Sequence, residues 1–180
     1  MIQTIVQLGH ESLRTKCGVI PVEQIATPAI QEIITNLIDT LAHEPDGVGL
    51  SAPQIAVTKR IFIVSHKAFE VEGKKDNPQD LVLINPRITK VSKKKEWMEE
   101  GCLSIRWVYG EVERFKQVTM EYYDEHGNKQ SRGFSGFLSH VVQHELDHLD
   151  GVLFIDHAQE LHELTPEEIA RIKGSQHYAE

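Results

Sequence analysis

The sequence predicts an α+β fold in which antiparallel β-sheets pack around a central helix, with an N-terminal amphipathic helix and a C-terminal helix beside them. Three observations carry that prediction. Ile30, Ile33, Ile34, Leu37, Ile38 and Leu41 recur at three- and four-residue steps, the period of a helix with one apolar stripe. Short β-branched runs, Ile61-Phe62-Ile63-Val64 and Leu81-Val82-Leu83-Ile84 among them, then fill the middle of the chain as strands. A second helical pattern follows, with Phe137, Leu138, Val141, Val142, Leu146 and Leu149 at helical spacing. Strand runs bracketed by helices indicate segregated layers. The 180 residues suit one domain covering 1–180, long enough to bury a sizeable core.

Taken in order, residues 7–14 have little periodicity and predict an extended arm with a short turn. The first helix begins at Pro28 and stops near His43-Glu44-Pro45-Asp46-Gly47, where Pro and Gly punctuate the chain. Next comes Gly47-Val48-Gly49-Leu50-Ser51-Ala52-Pro53-Gln54. Its glycines let another backbone approach closely, and the Gln54 amide can both donate and accept; the same residues also suit a plain loop leading into a strand. Strands follow at 60–64 and 81–86, separated by a polar loop over 72–80, and residues 88–91 lead into a hairpin near Lys93-Lys94-Lys95. Residues 96–100 lead to Cys102, and 112–115 and 118–123 are strands, closed by a turn at Asp124-Glu125-His126-Gly127-Asn128. The C-terminal helix starts at Thr165 as N-cap, with Pro166 at its first position and Glu168 three residues after the cap, and it ends at Gly174. His177 beyond it is expected to be unstructured.

Composition narrows the function. A net charge of −8 and the lack of a basic arm disfavour a nucleic-acid partner, and the three-lysine run suits a solvated turn. No stretch reaches the roughly 18 to 20 apolar residues of a membrane span. Met1-Ile2-Gln3-Thr4 lacks the basic-then-apolar plan of a signal peptide, so a soluble, cytoplasmic protein is expected. Two cysteines make no disulfide framework and fit a reducing compartment. Cys17 is expected to be a packed or incidental thiol.

The chemistry centres on Gln143-His144-Glu145-Leu146-Asp147-His148. Histidines four apart share one helix face, so both imidazoles can reach one metal ion with Glu145 beside them. The third ligand decides the class. A metzincin continuation fails, because Gly151 is in place but Phe154 stands where the last histidine belongs. A thermolysin-like site would draw a downstream carboxylate, for which Asp156, Glu160, Glu163 and Glu167 are available. Cys102, in Glu100-Gly101-Cys102-Leu103-Ser104, is the sharper candidate upstream. A thiolate and two imidazoles leave one position open for water, whose pKa the ion lowers, whereas a fourth protein ligand would make the site purely structural.

These three stretches, residues 47–54, 100–104 and 143–148, resemble in order and separation the three motifs of the peptide deformylases, and the resemblance spans nearly the whole chain. It implies removal of the formyl group from the N-terminal formylmethionine of new polypeptides, with release of formate. Cys102, His144 and His148 would hold one divalent ion, Fe²⁺ in this family, with Zn²⁺, Ni²⁺ or Co²⁺ as substitutes. Glu145 would carry the proton, and the Gln54 amide and the Leu103 backbone N–H would stabilise the developing oxyanion. Val48 and Gly49 would pair with the peptide as an added strand, and Val48, Phe137 and Val141 would line an apolar pocket for methionine. Glu100 and Arg114 look like the family's charged pair bracing the cysteine loop. The implied partners are N-formylmethionyl nascent peptides; a ribosome contact through the helix at 164–173 is left open. Three departures stand out. Ser51 replaces the common Ala. Arg106-Trp107-Val108-Tyr109 replaces a stretch beginning with proline, so the loop beyond the cysteine is expected to lie differently. His140, one turn before His144, replaces an Arg or aliphatic residue and is expected in the pocket wall.

Overall fold

The computed structural model describes residues 1–71, 73 and 79–175. The predicted polar loop over 72–80 lies mostly outside the described residues, as does His177. In chain order the elements are α1 (Pro28–His43), β1 (Gly49–Ser51), β2 (Ile61–Val64), α2 (His66–Val71), β3 (Leu81–Val91), β4 (Lys95–Cys102), β5 (Ile105–Phe115), β6 (Gln117–Tyr123), β7 (Lys129–Ser135), α3 (Gly136–Leu149), β8 (Gln159–Glu163) and α4 (Pro166–Ser175). Five strands form one antiparallel sheet in the order β1-β2-β3-β6-β7, and three form a second in the order β4-β5-β8.

The sequence pattern explains the layering. All four residues of β2 are buried, because alternate side chains enter different cores. Ile61 and Ile63 join Ile30, Ile34, Leu37 and Leu41 of α1, and Phe62 and Val64 join Leu138, Val141 and Val142 of α3. A strand covered on both faces reads as a continuous apolar run. A third cluster, Leu13, Ile105, Val112, Leu153 and Phe154, fills the space beneath the smaller sheet. Helix α3 is pinned to β5 by Gln143, whose Oε1 accepts from Phe115 N at 3.2 Å and whose Nε2 donates to Phe115 O at 2.9 Å.

Several expectations are refined. The runs at 81–86 and 88–91 are one strand, β3, whose pairing with β6 slips near Asn85 and Pro86. Asn85 sits at φ 51° and exchanges two hydrogen bonds with the Ile20 backbone, at 2.9 and 2.7 Å, so the bulge tolerates the donorless proline. The N-terminal arm contains a 3₁₀ turn at Glu11–Arg14. α2, β7 and β8 were not expected. β8 is exposed along its whole length and exists through pairing with β5, not through an apolar pattern of its own. Among the described residues no helix is long and apolar enough to cross a membrane.

Candidate metal centre

β4 ends in a register slip between Gly101 and Cys102, which turns the Cys102 thiol toward α3. There His144 and His148 stand one turn apart, their rings 5.0 Å between centroids. Cys102 Sγ lies 3.2 Å from His148 Nε2, and the three candidate ligand atoms fall within 4.8 Å of one another. No other group of His, Cys, Asp or Glu among the described residues has that geometry. The downstream carboxylates of the thermolysin-like alternative are elsewhere: Asp156 is bound to Arg14, and Glu160, Glu163 and Glu167 are exposed. Phe154 stacks on the His144 ring, 6.1 Å between centroids.

Glu100 sets the orientation of this group. Its carboxylate accepts from Arg114 Nε and Nη2, from His144 Nδ1 at 2.9 Å and from His140 Nδ1 at 3.3 Å. Burial pushes the Glu100 pKa up, but the hydrogen bonds from His140, His144 and Arg114 outweigh it and hold the group far below the ordinary carboxylate range. An anion can only accept, so His144 Nδ1 carries the proton and Nε2 keeps its lone pair for a metal. Burial, helped by the Arg114 charge, holds His148 well below the usual imidazole value, the neutral form that binds metals. Arg114 is itself braced by Asp147, 2.8 Å from Nη1.

Glu145 is buried at 4% exposure. Burial raises its carboxyl to about 7, and Oε2 has no hydrogen-bond partner. A Cβ on Gly49 would lie 2.6 Å from Glu145 Oε1, so only glycine lets β1 approach this carboxyl. Gln54 Nε2 donates toward Cys102 Sγ at 3.6 Å and to Ser104 Oγ at 3.2 Å. Its Oε1 accepts from Ser51 N and Ser51 Oγ, each at 2.8 Å.

These groups open into a cleft of about 210 Å³ that is lined by Val48, Gly49, Gln54, Leu103, Phe137, His140, Val141, His144 and Glu145. Every substrate-contact residue expected from the sequence therefore borders one cavity. His140, expected in the wall, is there, and it also donates to Glu100. Sequence reasoning does not reach Asp147, Tyr109 or the rim. Asp147 lies between the histidines on α3, but its 2.8 Å contact with Arg114 of β5 comes from the packing of helix on strand and has no signal in the local spacing. A Cβ on Gly101 would meet the Tyr109 ring at 2.6 Å. Residues 106–109, expected as a loop beyond the cysteine, fall at the start of β5 instead; Trp107 there has φ 69°, and Arg106 bridges the cleft mouth to Asp46, at 2.8 Å, and to Glu44.

The profile of the polypeptide deformylase family matches residues 2–163. The peptide deformylase of Salinibacter ruber is 44% identical over 161 residues, 87% of this chain and 80% of the relative. The class I type b peptide deformylase of Acinetobacter baumannii, solved with Met-Ala-Ser bound, superposes with a TM-score of 0.77 at 29% identity, over 87% of this chain and 99% of the other. The peptide deformylase of Thermotoga maritima does so with a TM-score of 0.77 at 30% identity, over 88% and 99%. The chain belongs to the polypeptide deformylase family, whose members are metal-dependent hydrolases.

Proposed function

We propose that this enzyme removes the formyl group from N-terminal formylmethionine on newly made polypeptides, releasing formate, with Glu145 as proton carrier and Gln54 and the Leu103 backbone N–H as oxyanion donors. The observation that carries the proposal is a three-ligand cluster, with no fourth protein ligand among the described residues, at the floor of a cleft that contains an unpartnered buried carboxyl oxygen. The donor set fits a metal: a thiol sulfur, one imidazole whose free nitrogen is fixed by Glu100, and one held neutral by burial. A divalent ion held by Cys102, His144 and His148 would act as a Lewis acid and make a water nucleophilic near neutral pH. Thiolate and imidazole ligands suit Fe²⁺ and also Zn²⁺, Ni²⁺ or Co²⁺; we infer Fe²⁺ from the family.

The chain's own residues do the rest. Glu145, with a carboxyl near 7, can take a proton from the attacking water and return it to the departing amine. Gln54 Nε2 points to the same side as Cys102 Sγ, where it can donate to a carbonyl oxygen as charge develops. β1 is an edge strand of the larger sheet and β4 an edge strand of the smaller one, and both border the cleft. An extended peptide can therefore enter as an added strand against Val48 and Gly49. Val48, Phe137, His140 and Val141, which line the cleft, then receive the methionine side chain; the Met-Ala-Ser bound to the A. baumannii relative supports a peptide that begins with methionine as ligand. A nascent-chain substrate supports a cytoplasmic location for the enzyme.

The test offers the iron-loaded protein, without oxygen, a formyl-Met tripeptide, its acetyl-Met analogue and an internally cleavable peptide. Free Met termini from the formyl substrate alone are expected, since a formyl carbon bears only hydrogen and a tight site excludes acetyl. Cys102→Ala should lose metal and activity together. Glu145→Gln should keep its metal while turnover falls roughly a hundredfold or more. Internal cleavage that survives Cys102→Ala would defeat the proposal.

A further inference from the structure

Ser51 departs from the alanine common at this position in the family, and it lies fully buried beside Gln54, an amide donor of the proposed mechanism. Its Oγ is 2.8 Å from Gln54 Oε1. We propose that Ser51 is a positioning residue for hydrolysis, whose hydroxyl and backbone N–H together hold and polarise the Gln54 amide as a donor. The inference rests on the deformylase reading above and deepens it.

The Ser51 backbone N–H already donates to Gln54 Oε1 at 2.8 Å. That bond decides which way the amide faces, because a flipped amide would set two donors against each other. The hydroxyl supplies what remains. Gln54 is 1% exposed, and without Ser51 Oγ its carbonyl would keep one buried lone pair unpaired. Donation into that lone pair polarises the amide and strengthens the N–H groups aimed at Cys102 Sγ and Ser104 Oγ.

The experiment is a double-mutant cycle on the metal-loaded enzyme with a formyl-Met tripeptide, in which kcat, KM and metal per chain are measured for the parent, Ser51→Ala, Gln54→Ala and the double variant. Ser51→Ala should keep its metal and its KM while kcat falls roughly three- to tenfold, the scale of one neutral hydrogen bond. In the Gln54→Ala background, Ser51→Ala should change kcat by less than about twofold. Equal losses in both backgrounds, a loss confined to KM, or an unchanged kcat would each overturn this role. Ser51→Cys, a weak donor of similar size, should give an intermediate kcat, and it carries the same comparison should Ser51→Ala not fold. A parent enzyme that releases no formate would instead defeat the deformylase reading itself.

Discussion

Glu100 shows how much of the site's geometry rests on one buried side chain. Two residues before Cys102, it accepts from Arg114, His140 and His144, so one carboxylate orients a ligand imidazole and ties β4 to both β5 and α3. The other cysteine illustrates the opposite fate. Cys17 is 4% exposed and packs among Phe62, Leu138 and Leu149. Burial pushes its thiol up to about 11, against the pull of Arg60, whereas an unfolded thiol titrates at about 8.5. With the folded pKa raised, the neutral buried thiol contributes stability that is fully present below about pH 8.5 and is lost as pH rises toward 11. Iodoacetamide at pH 8.5 should therefore leave Cys17 unmodified in the native enzyme and label it promptly in urea. Native labelling of Cys17 at a rate matching the unfolded chain would refute this account.

Among the elements, those with strong internal periodicity were legible. Ile30, Ile34, Leu37 and Leu41 form the buried stripe of α1 that their spacing predicts, and Thr165 and Glu168 make the capping contacts expected at the start of α4. What escaped the sequence owes its form to a partner. Of the residues of β7 only Phe134 is buried, and its register comes from β6. Gln159-Glu160-Leu161-His162-Glu163 has no buried side chain at all. In the site, the motif residues could be read, but Asp147 on Arg114 and His140 on Glu100 depend on where β5 passes α3, which no local pattern encodes. The approach of β1 to α3 is testable. Since a Cβ on Gly49 would lie 2.6 Å from Glu145 Oε1, Gly49→Ala should force β1 or the carboxyl to shift. A displacement near 1 Å is enough to cost about a hundredfold in turnover, with metal content preserved. A variant with parental kcat would mean that the glycine serves only the incoming peptide.

At the scale of the whole molecule, three separate segments must converge on one cleft, and the N-terminal arm fastens two of them. Val6 N donates to Gln54 O at 2.9 Å, Leu8 N to Ser104 O at 2.9 Å, and Gln7 Nε2 to Leu103 O at 3.0 Å. Ser12 Oγ adds a bond to Pro53 O at 2.7 Å. The arm thus bridges the glycine-rich segment and the cysteine turn, while Gln143 and Arg114 fix α3 against β5 from the other side. A stretch with little periodicity in the sequence is consequently part of the scaffold that keeps Gln54 beside Cys102. Removing residues 1–8 deletes the first three of these bonds, about 3 kcal/mol at roughly 1 kcal/mol each. For a chain of this size that predicts a melting temperature lower by roughly 6–12 °C. Because the lost bonds anchor Gln54 and the turn carrying Leu103, kcat should fall further than the loss of folded protein explains, measured below the new melting transition. A shortened enzyme that melts earlier yet turns over at the parental rate would show that the arm stabilises the fold without aligning the two segments.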